Sequence, residues 1–189
     1  MHHRVMPNYR RDQTPGGTWF FTVVAFQRRP IFCDEQFRKS LRHSIQKTRQ
    51  KHPFVIHAWV LLPDHLHCIW SLPEDDANFS IRWKLIKQCV SRSCPSLNLI
   101  PDRHDAVKNK RRESTIWQRR FWEHRIHTEK DFRHHMDYIH FNSVKHGLSQ
   151  SPAEWPYSTI HRLIAKGVYT QDWATEPNDQ SNGNHDYGE

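Results

Sequence analysis

Two apolar segments separated by a Pro-Asp pair constrain the fold of this chain most strongly. Residues 54–62, FVIHAWVLL, are apolar on both faces, which indicates a central, buried strand. Pro63 and Asp64 favour a tight turn, and residues 65–70, HLHCIW, then read as the returning strand of a hairpin. The chain is therefore expected to contain a sheet with an antiparallel pair in its interior.

The pattern around this hairpin predicts two more strands and three helices. The predicted strands are residues 18–26 and 114–118, and the predicted helices are residues 34–51, 79–93 and 128–146. The resulting order, β-α-β-β-α-β with an added C-terminal helix, predicts an α+β fold of the ferredoxin-like (RRM-like) type. In that arrangement an antiparallel sheet carries helices packed on it.

Composition narrows the class of protein. Hydrophobic residues make up 36% of the 189, and no apolar run approaches the roughly 20 residues of a membrane span. The N-terminal segment MHHRVMPNYRR has no apolar stretch typical of a signal peptide, and the four cysteines form no CxxC pair. We therefore expect a soluble, cytoplasmic protein with reduced thiols.

Charge is distributed unevenly along the chain. The net charge is +8, but the residues from Asp172 onward include five acidic and no basic residues, which leaves +13 in residues 1–171. We expect a single domain over residues 1–173 and a disordered acidic tail over 174–189. The strong positive charge of residues 1–171 favours a nucleic-acid partner and association with the nucleoid. The alternative is that this basic surface serves only solubility.

A histidine pair and one stripe of the last helix carry the candidate chemistry. His65 and His67 lie two apart on a predicted strand, so both rings project from one face, about 7 Å apart, where one cation can bridge them. With 16 histidines, chance alone supplies about one such pair, so an ordinary surface or core pair stays open. On the helix, His134, Tyr138 and Asn142 recur at intervals of four and share one side.

A tyrosine beside a bound cation is a suitable nucleophile toward a phosphodiester. The unperturbed pKa of a phenol is about 10, and a nearby cation stabilises the phenolate. Two imidazoles and an amide oxygen suit Mg²⁺ or Mn²⁺, with imidazole favouring Mn²⁺, whereas zinc usually recruits cysteine or a third histidine. Each residue also has an alternative without a chemical role. Tyr138 could be a boundary residue with a packed ring, and Asn142 could be a solvated helix residue.

Extended stretches of the chain resemble the REP-associated tyrosine transposases, a branch of the single-tyrosine HUH transposases related to insertion-sequence transposases. The resemblance covers roughly residues 6–173. It is carried by PGGTWFFTVV (15–24), WVLLPDHLHCIW (59–70), IWQRRFWEHRI (116–126) and DYIHFNSVKHGL (137–148).

This resemblance implies a site and an activity. His65 and His67 match the metal-binding histidines of the HUH motif, Tyr138 matches the nucleophile, and Asn142 matches the third metal ligand. The implied activity is nicking and strand transfer of single-stranded DNA beside a short palindromic hairpin, leaving a 5′-phosphotyrosine and a free 3′-hydroxyl. The family usually has Asn-Pro-Val where this chain has Asn-Ser-Val at 142–144. A monomer is favoured, and a dimer remains open.

Basic and aromatic side chains outside the motif are the candidates for DNA contact, because cations hold phosphates and aromatic rings stack on unpaired bases. These candidates are Arg10, Arg11, Arg28, Arg119, Arg120, Lys145 and Trp117. Core packing is the alternative for Trp117.

Two other functions remain open from the sequence. A non-catalytic DNA- or RNA-binding regulator on the same fold needs the basic surface but not the histidines. A metal-dependent phosphodiesterase that uses water as nucleophile yields free 5′-phosphate ends and no covalent adduct.

Overall fold

The structure, a computed structural model, describes residues 14–98 and 114–174. Arg10, Arg11 and all but the first residue of the expected tail at 174–189 lie outside the described residues, so the expectations for them stay predictions. No helix in the described part of the chain combines the length and apolar character needed to cross a membrane.

A four-stranded antiparallel sheet forms the centre of the described structure. Its strands are β1 (Thr18–Val24), β2 (Val55–Leu61), β3 (His65–Ser71) and β4 (Trp122–Ile126), in the order β2-β3-β1-β4. The hairpin predicted around Pro63 and Asp64 is β2 and β3, and β3 lies in the interior of the sheet next to β1. This topology confirms the predicted ferredoxin-like α+β fold.

Two helices cover one face of the sheet. These helices are α1 (Glu35–Lys51) and α2 (Phe79–Ser93). Asp34 is the N-cap of α1, and its side chain accepts a hydrogen bond from the Phe37 backbone N–H. Alternate residues of β1 and β3 point toward these helices because side chains along a strand alternate between faces. They form the larger hydrophobic core, which contains Trp19, Phe21, Val23, Leu66, Cys68 and Trp70.

Helix α3 (Glu129–Lys145) packs on the opposite face. The Thr128 side chain accepts from the Asp131 N–H at its start, and Gly147 follows its end with φ of 66°. Met136 and Ile139 bury their side chains there against Phe20 of β1. The alternation that directs Phe21 into the first core therefore directs His65 and His67 toward α3.

The predicted strand at 114–118 is wrong, since the fourth strand is β4, Trp122–Ile126. Only Trp117 of the predicted segment makes an isolated bridge, to Ala25 just beyond β1. Residues 122–126, WEHRI, form an edge strand, and their polar side chains hide the strand pattern in the sequence.

The chain after α3 closes over the β2 edge. A short 3₁₀ helix, Pro152–Glu154, leads into helix α4, Ile160–Ala165. The Leu61 backbone N–H donates to the Tyr157 carbonyl at 2.9 Å, and Thr159 exchanges hydrogen bonds with Trp59. These bonds satisfy polar groups at one edge of the sheet.

Candidate active site

His65 and His67 lie on the face of β3 that α3 covers, and both are buried. Their ring centroids are 4.9 Å apart. The Nδ1 of His65 is 2.6 Å from Oδ1 of Asp64, and the Nδ1 of His67 is 2.8 Å from the Thr22 hydroxyl. Because each Nδ1 is held by a neighbour, Nε2 is the atom of each ring suited to bind a metal ion.

Helix α3 runs antiparallel to β3 and presents Tyr138, Asn142 and His146 to the histidine pair. The Tyr138 ring lies 5.3 Å from His67, and the His146 ring lies 5.1 Å from His65. Asn142, one turn from each of them, is fully buried, which excludes the alternative of a solvated helix residue. The structure thus brings together the two histidines and the tyrosine, with Asn142 buried on α3 between Tyr138 and His146.

The serine in Asn-Ser-Val leaves α3 continuous. Ser143 is buried, its hydroxyl accepts a hydrogen bond from Ser149 at 2.9 Å, and its carbonyl accepts from the Leu148 N–H. The departure from the family pattern at 143 is therefore accommodated within the helix.

Lys145 belongs to the immediate surroundings of the tyrosine. Its Nζ donates to the Tyr138 hydroxyl at 3.1 Å and lies 4.9 Å from the centre of the tyrosine ring. An ammonium at this distance favours the phenolate form electrostatically. The sequence placed Lys145 among the DNA-contact residues and did not indicate this contact.

Asp64 links the metal-ligand candidate His65 to Arg28, one of the predicted DNA-contact residues. Its Oδ2 accepts from Arg28 at 3.0 Å while Oδ1 holds His65. Burial acts to raise the pKa of Asp64, but the hydrogen bonds and positive charge of His65 and Arg28 outweigh it, so the pKa lies below its usual range. Gln27 and Arg28 have φ of 55° and 51°, a strained conformation for residues with a Cβ.

Arg119 and Arg120 are exposed at the same end of the sheet as Arg28. The backbone N–H of Gln118 donates to the Val24 carbonyl at the end of β1, and Val24 is paired with His65. Three of the predicted DNA-contact arginines therefore belong to segments next to the end of the sheet where His65 lies.

Trp117 does not fit the expected role of a base-stacking residue. Its side chain is 5% exposed and packs against Phe32 and Phe37 in the core below α1. A buried ring cannot present its face to a base, so in this conformation Trp117 is a core residue. Trp122 of β4 pairs with Thr22 and is half-buried, which makes it the better aromatic candidate beside the site.

The donor atoms at this site fit a divalent metal ion. Both histidines have the second hydrogen bond that commonly orients a metal-bound imidazole, and Asn142, the third predicted ligand, carries an amide oxygen. A separate group that the sequence reasoning missed, His124 with Asp131 and His135, also has ligand atoms within 4.8 Å of one another. Its residues come from β4 and α3, so spacing alone does not reveal it.

The fold and the site together define a class of protein. Residues 19–142 match the model of the family described as transposase IS200 like, and this protein belongs to that family of enzymes. The chain is 47% identical to the REP-associated tyrosine transposase of Escherichia coli (strain K12), with 94% of this chain and 97% of that protein aligned. It is 40% identical to a putative REP-associated tyrosine transposase of Haemophilus influenzae, over 91% of this chain and 96% of that protein.

A solved structure gives the same result in three dimensions. It is a REP-associated tyrosine transposase bound to a REP hairpin, and it matches with a TM-score of 0.77 and 44% identity over 95% of this chain and 98% of that one. The REP-associated branch that the sequence resembles is thus the one that the comparisons support.

Proposed function

We propose that this protein nicks and rejoins single-stranded DNA beside a REP-type hairpin, with Tyr138 as nucleophile. The observation that carries the proposal is the meeting of Tyr138, Lys145 and the His65/His67 pair between α3 and β3. Support for the hairpin comes from the hairpin-bound relative, which covers nearly the whole chain. The protein would act on DNA in the cytoplasm, at the nucleoid, as a monomer.

Tyr138 attacks a backbone phosphorus through its phenolate oxygen, which Lys145 stabilises from 3.1 Å. A P–O bond to Tyr138 forms and the P–O3′ bond breaks. The phenol proton is lost to water, the 3′ oxygen leaves with the electron pair and takes a proton from water, and the 5′ end stays covalently attached to the protein. Reversal with another 3′-hydroxyl rejoins strands, because the phosphotyrosine ester keeps the energy of the broken bond.

His65, His67 and Asn142 would hold the metal ion, Mg²⁺ or Mn²⁺. When bound, it neutralises phosphate charge and orients the phosphate for in-line displacement. Asp64 and Thr22 fix the two imidazoles through their Nδ1 atoms, so the ligands are oriented before DNA binds.

The exposed arginines at this end of the sheet would hold the DNA strand at the site. Arg28, Arg119 and Arg120 would contact phosphates, and Trp122 would offer a partly exposed ring for an unpaired base. Arg10 and Arg11, predicted DNA contacts from the sequence, lie outside the described residues.

Covalent capture of a labelled oligonucleotide tests the proposal directly. With Mn²⁺ and a hairpin-bearing strand labelled on the 3′ side of the cleavage site, the protein should give a slow-migrating adduct on a denaturing gel. Tyr138→Phe should give none, whereas Tyr157→Phe, which alters a half-buried tyrosine away from the site, should react normally.

Other outcomes would identify a different function. An adduct in Tyr138→Phe would assign the nucleophile elsewhere, and free 5′-phosphate ends without an adduct would show that water is the nucleophile. If a His65→Ala variant retained the protein's full effect in cells, the non-catalytic regulator would be favoured.

A further inference from the structure

A second group of metal-ligating side chains lies outside the site described above. His124 is on β4, and Asp131 and His135 are on successive turns of α3. The Nε2 of His124 is 3.0 Å from Asp131 Oδ2, and the Nδ1 of His135 is 2.9 Å from Asp131 Oδ1. One carboxylate therefore lies between two imidazoles contributed by different elements.

The three side chains are held in place by their backbones and neighbours. His124 is paired with Phe20 in the sheet, and the Phe20 ring is 4.7 Å from the His135 ring. The His124 and His135 rings stack at 4.8 Å with an interplanar angle of 14°. The His127 backbone N–H donates to Asp131 Oδ2 at 3.1 Å and helps fix the carboxylate.

We propose that His124, Asp131 and His135 form a second metal site, which binds Zn²⁺. Two imidazole nitrogens and one carboxylate oxygen are a common zinc donor set, with water completing a tetrahedron. Zinc bonds of about 2.0–2.2 Å place neighbouring ligand atoms roughly 3.3–3.5 Å apart. The two nitrogen–oxygen separations, 3.0 and 2.9 Å, need to open by a few tenths of an ångström. The nitrogen–nitrogen separation, within 4.8 Å, has to come to the same spacing, and His135 Nδ1 has to release the Asp131 backbone carbonyl that it contacts at 2.9 Å. The side chains of His124 and Asp131 are 35% and 23% exposed, so an ion can enter.

This site differs from the His65/His67 pair in position and in purpose. Phe20 lies between the two groups, since its ring contacts both His67 and His135. A zinc ion here connects the edge strand β4 to α3 one turn before Tyr138. It therefore cross-links β4 to the helix that carries Tyr138, with the fourth position left to water.

Zinc content measured after equilibrium dialysis tests this site without any reference to DNA cleavage. Wild-type protein should hold one more zinc per chain than His124→Gln or Asp131→Asn. The matched control is His134→Gln, which changes the histidine next to His135 in sequence and should keep the wild-type zinc content. Zinc should also raise the Tm of the wild type and of this control by more than that of the two site variants.

Circular dichroism confirms that the variants are folded before their zinc is counted, and His124 is exposed enough for glutamine to be tolerated. Equal zinc content in the wild type and in both site variants would overturn the proposal. In that case the three residues would form only a hydrogen-bonded network between β4 and α3.

Discussion

At the scale of single residues, the candidate site depends on side chains that orient the proposed metal ligands. Asp64 is the clearest example, because it holds the Nδ1 of His65 at 2.6 Å and is held in turn by Arg28. A carboxylate in this position raises the basicity of the imidazole and orients Nε2, the nitrogen that would face a bound metal ion. Asp64 is therefore a positioning residue whose influence acts through His65.

The Asp64→Asn variant should bind the metal more weakly while keeping the shape of the turn. Loss of such an orienting partner typically lowers metal affinity by about 10–100-fold. The Mn²⁺ concentration for half-maximal adduct formation should rise accordingly, with partial recovery of the rate at high Mn²⁺. Arg28→Gln should shift it less, because the contact between Asp64 and His65 remains. An unchanged Mn²⁺ requirement in Asp64→Asn would contradict this role.

At the scale of elements, α2 is anchored by one buried cation. Arg82 is fully buried and donates to the Asp76 carboxylate at 2.7 Å and to the carbonyls of Pro53 and Asn78. It thereby ties α2 to the turn before it and to the segment before β2. A hydrogen bond from Arg82 is the main cause that holds the pKa of Asp76 below its usual range.

Asp76→Asn should destabilise the protein by about 1–3 kcal/mol, because a buried guanidinium loses its charged partner but keeps its carbonyl acceptors. Urea denaturation at neutral pH measures the difference in free energy of unfolding. The control is Asp75→Asn, an exposed neighbour whose change should stay within about 0.5 kcal/mol. Equal stabilities of the two variants would show that the ion pair contributes nothing.

The elements with strong local patterns were predictable from the sequence, and those shaped by distant partners were not. Helix α2 was predicted at its observed bounds, and Asp34 at the start of α1, because caps and apolar periodicity are local signals. Strand β4 was not predicted because most of its residues are polar. These residues form a strand because they pair with β1, which is distant in the sequence. The contacts of Lys145 and His146 depend on how α3 lies across β3. Spacing within one helix shows only which of its residues share a side, and not what that side contacts.

At the scale of the whole molecule, the two faces of the sheet have different tasks. The face under α1 and α2 is almost wholly apolar and supplies most of the hydrophobic stabilisation. The face under α3 mixes a smaller apolar cluster with buried histidines and Asn142. Burying neutral imidazoles costs stability as the pH falls, because the unfolded chain can take up protons that the folded chain excludes.

His140 gives this dependence a defined pH range. It is fully buried, its Nδ1 is 3.2 Å from the Ser158 hydroxyl, and the Tyr169 ring, whose hydroxyl donates to Asp137, packs beside it. Burial first, then the positive charge of Arg162 and His161, lowers its pKa from 6.5 to about 3. Between those values the unfolded chain binds a proton that the folded chain does not. The free energy of unfolding should therefore fall as the pH decreases from about 6.5.

The limiting slope for one such group is about 1.4 kcal/mol per pH unit. Between pH 5 and 6.5 most carboxylates are ionised in both states, so urea denaturation in this window reports mainly on histidines. His140→Gln should reduce the slope by roughly 1 kcal/mol per pH unit, whereas His43→Gln, on the exposed side of α1, should leave it unchanged. A wild-type slope retained in His140→Gln would mean that His140 takes up its proton without unfolding, through a local opening of the contact between α3 and the segment around Ser158.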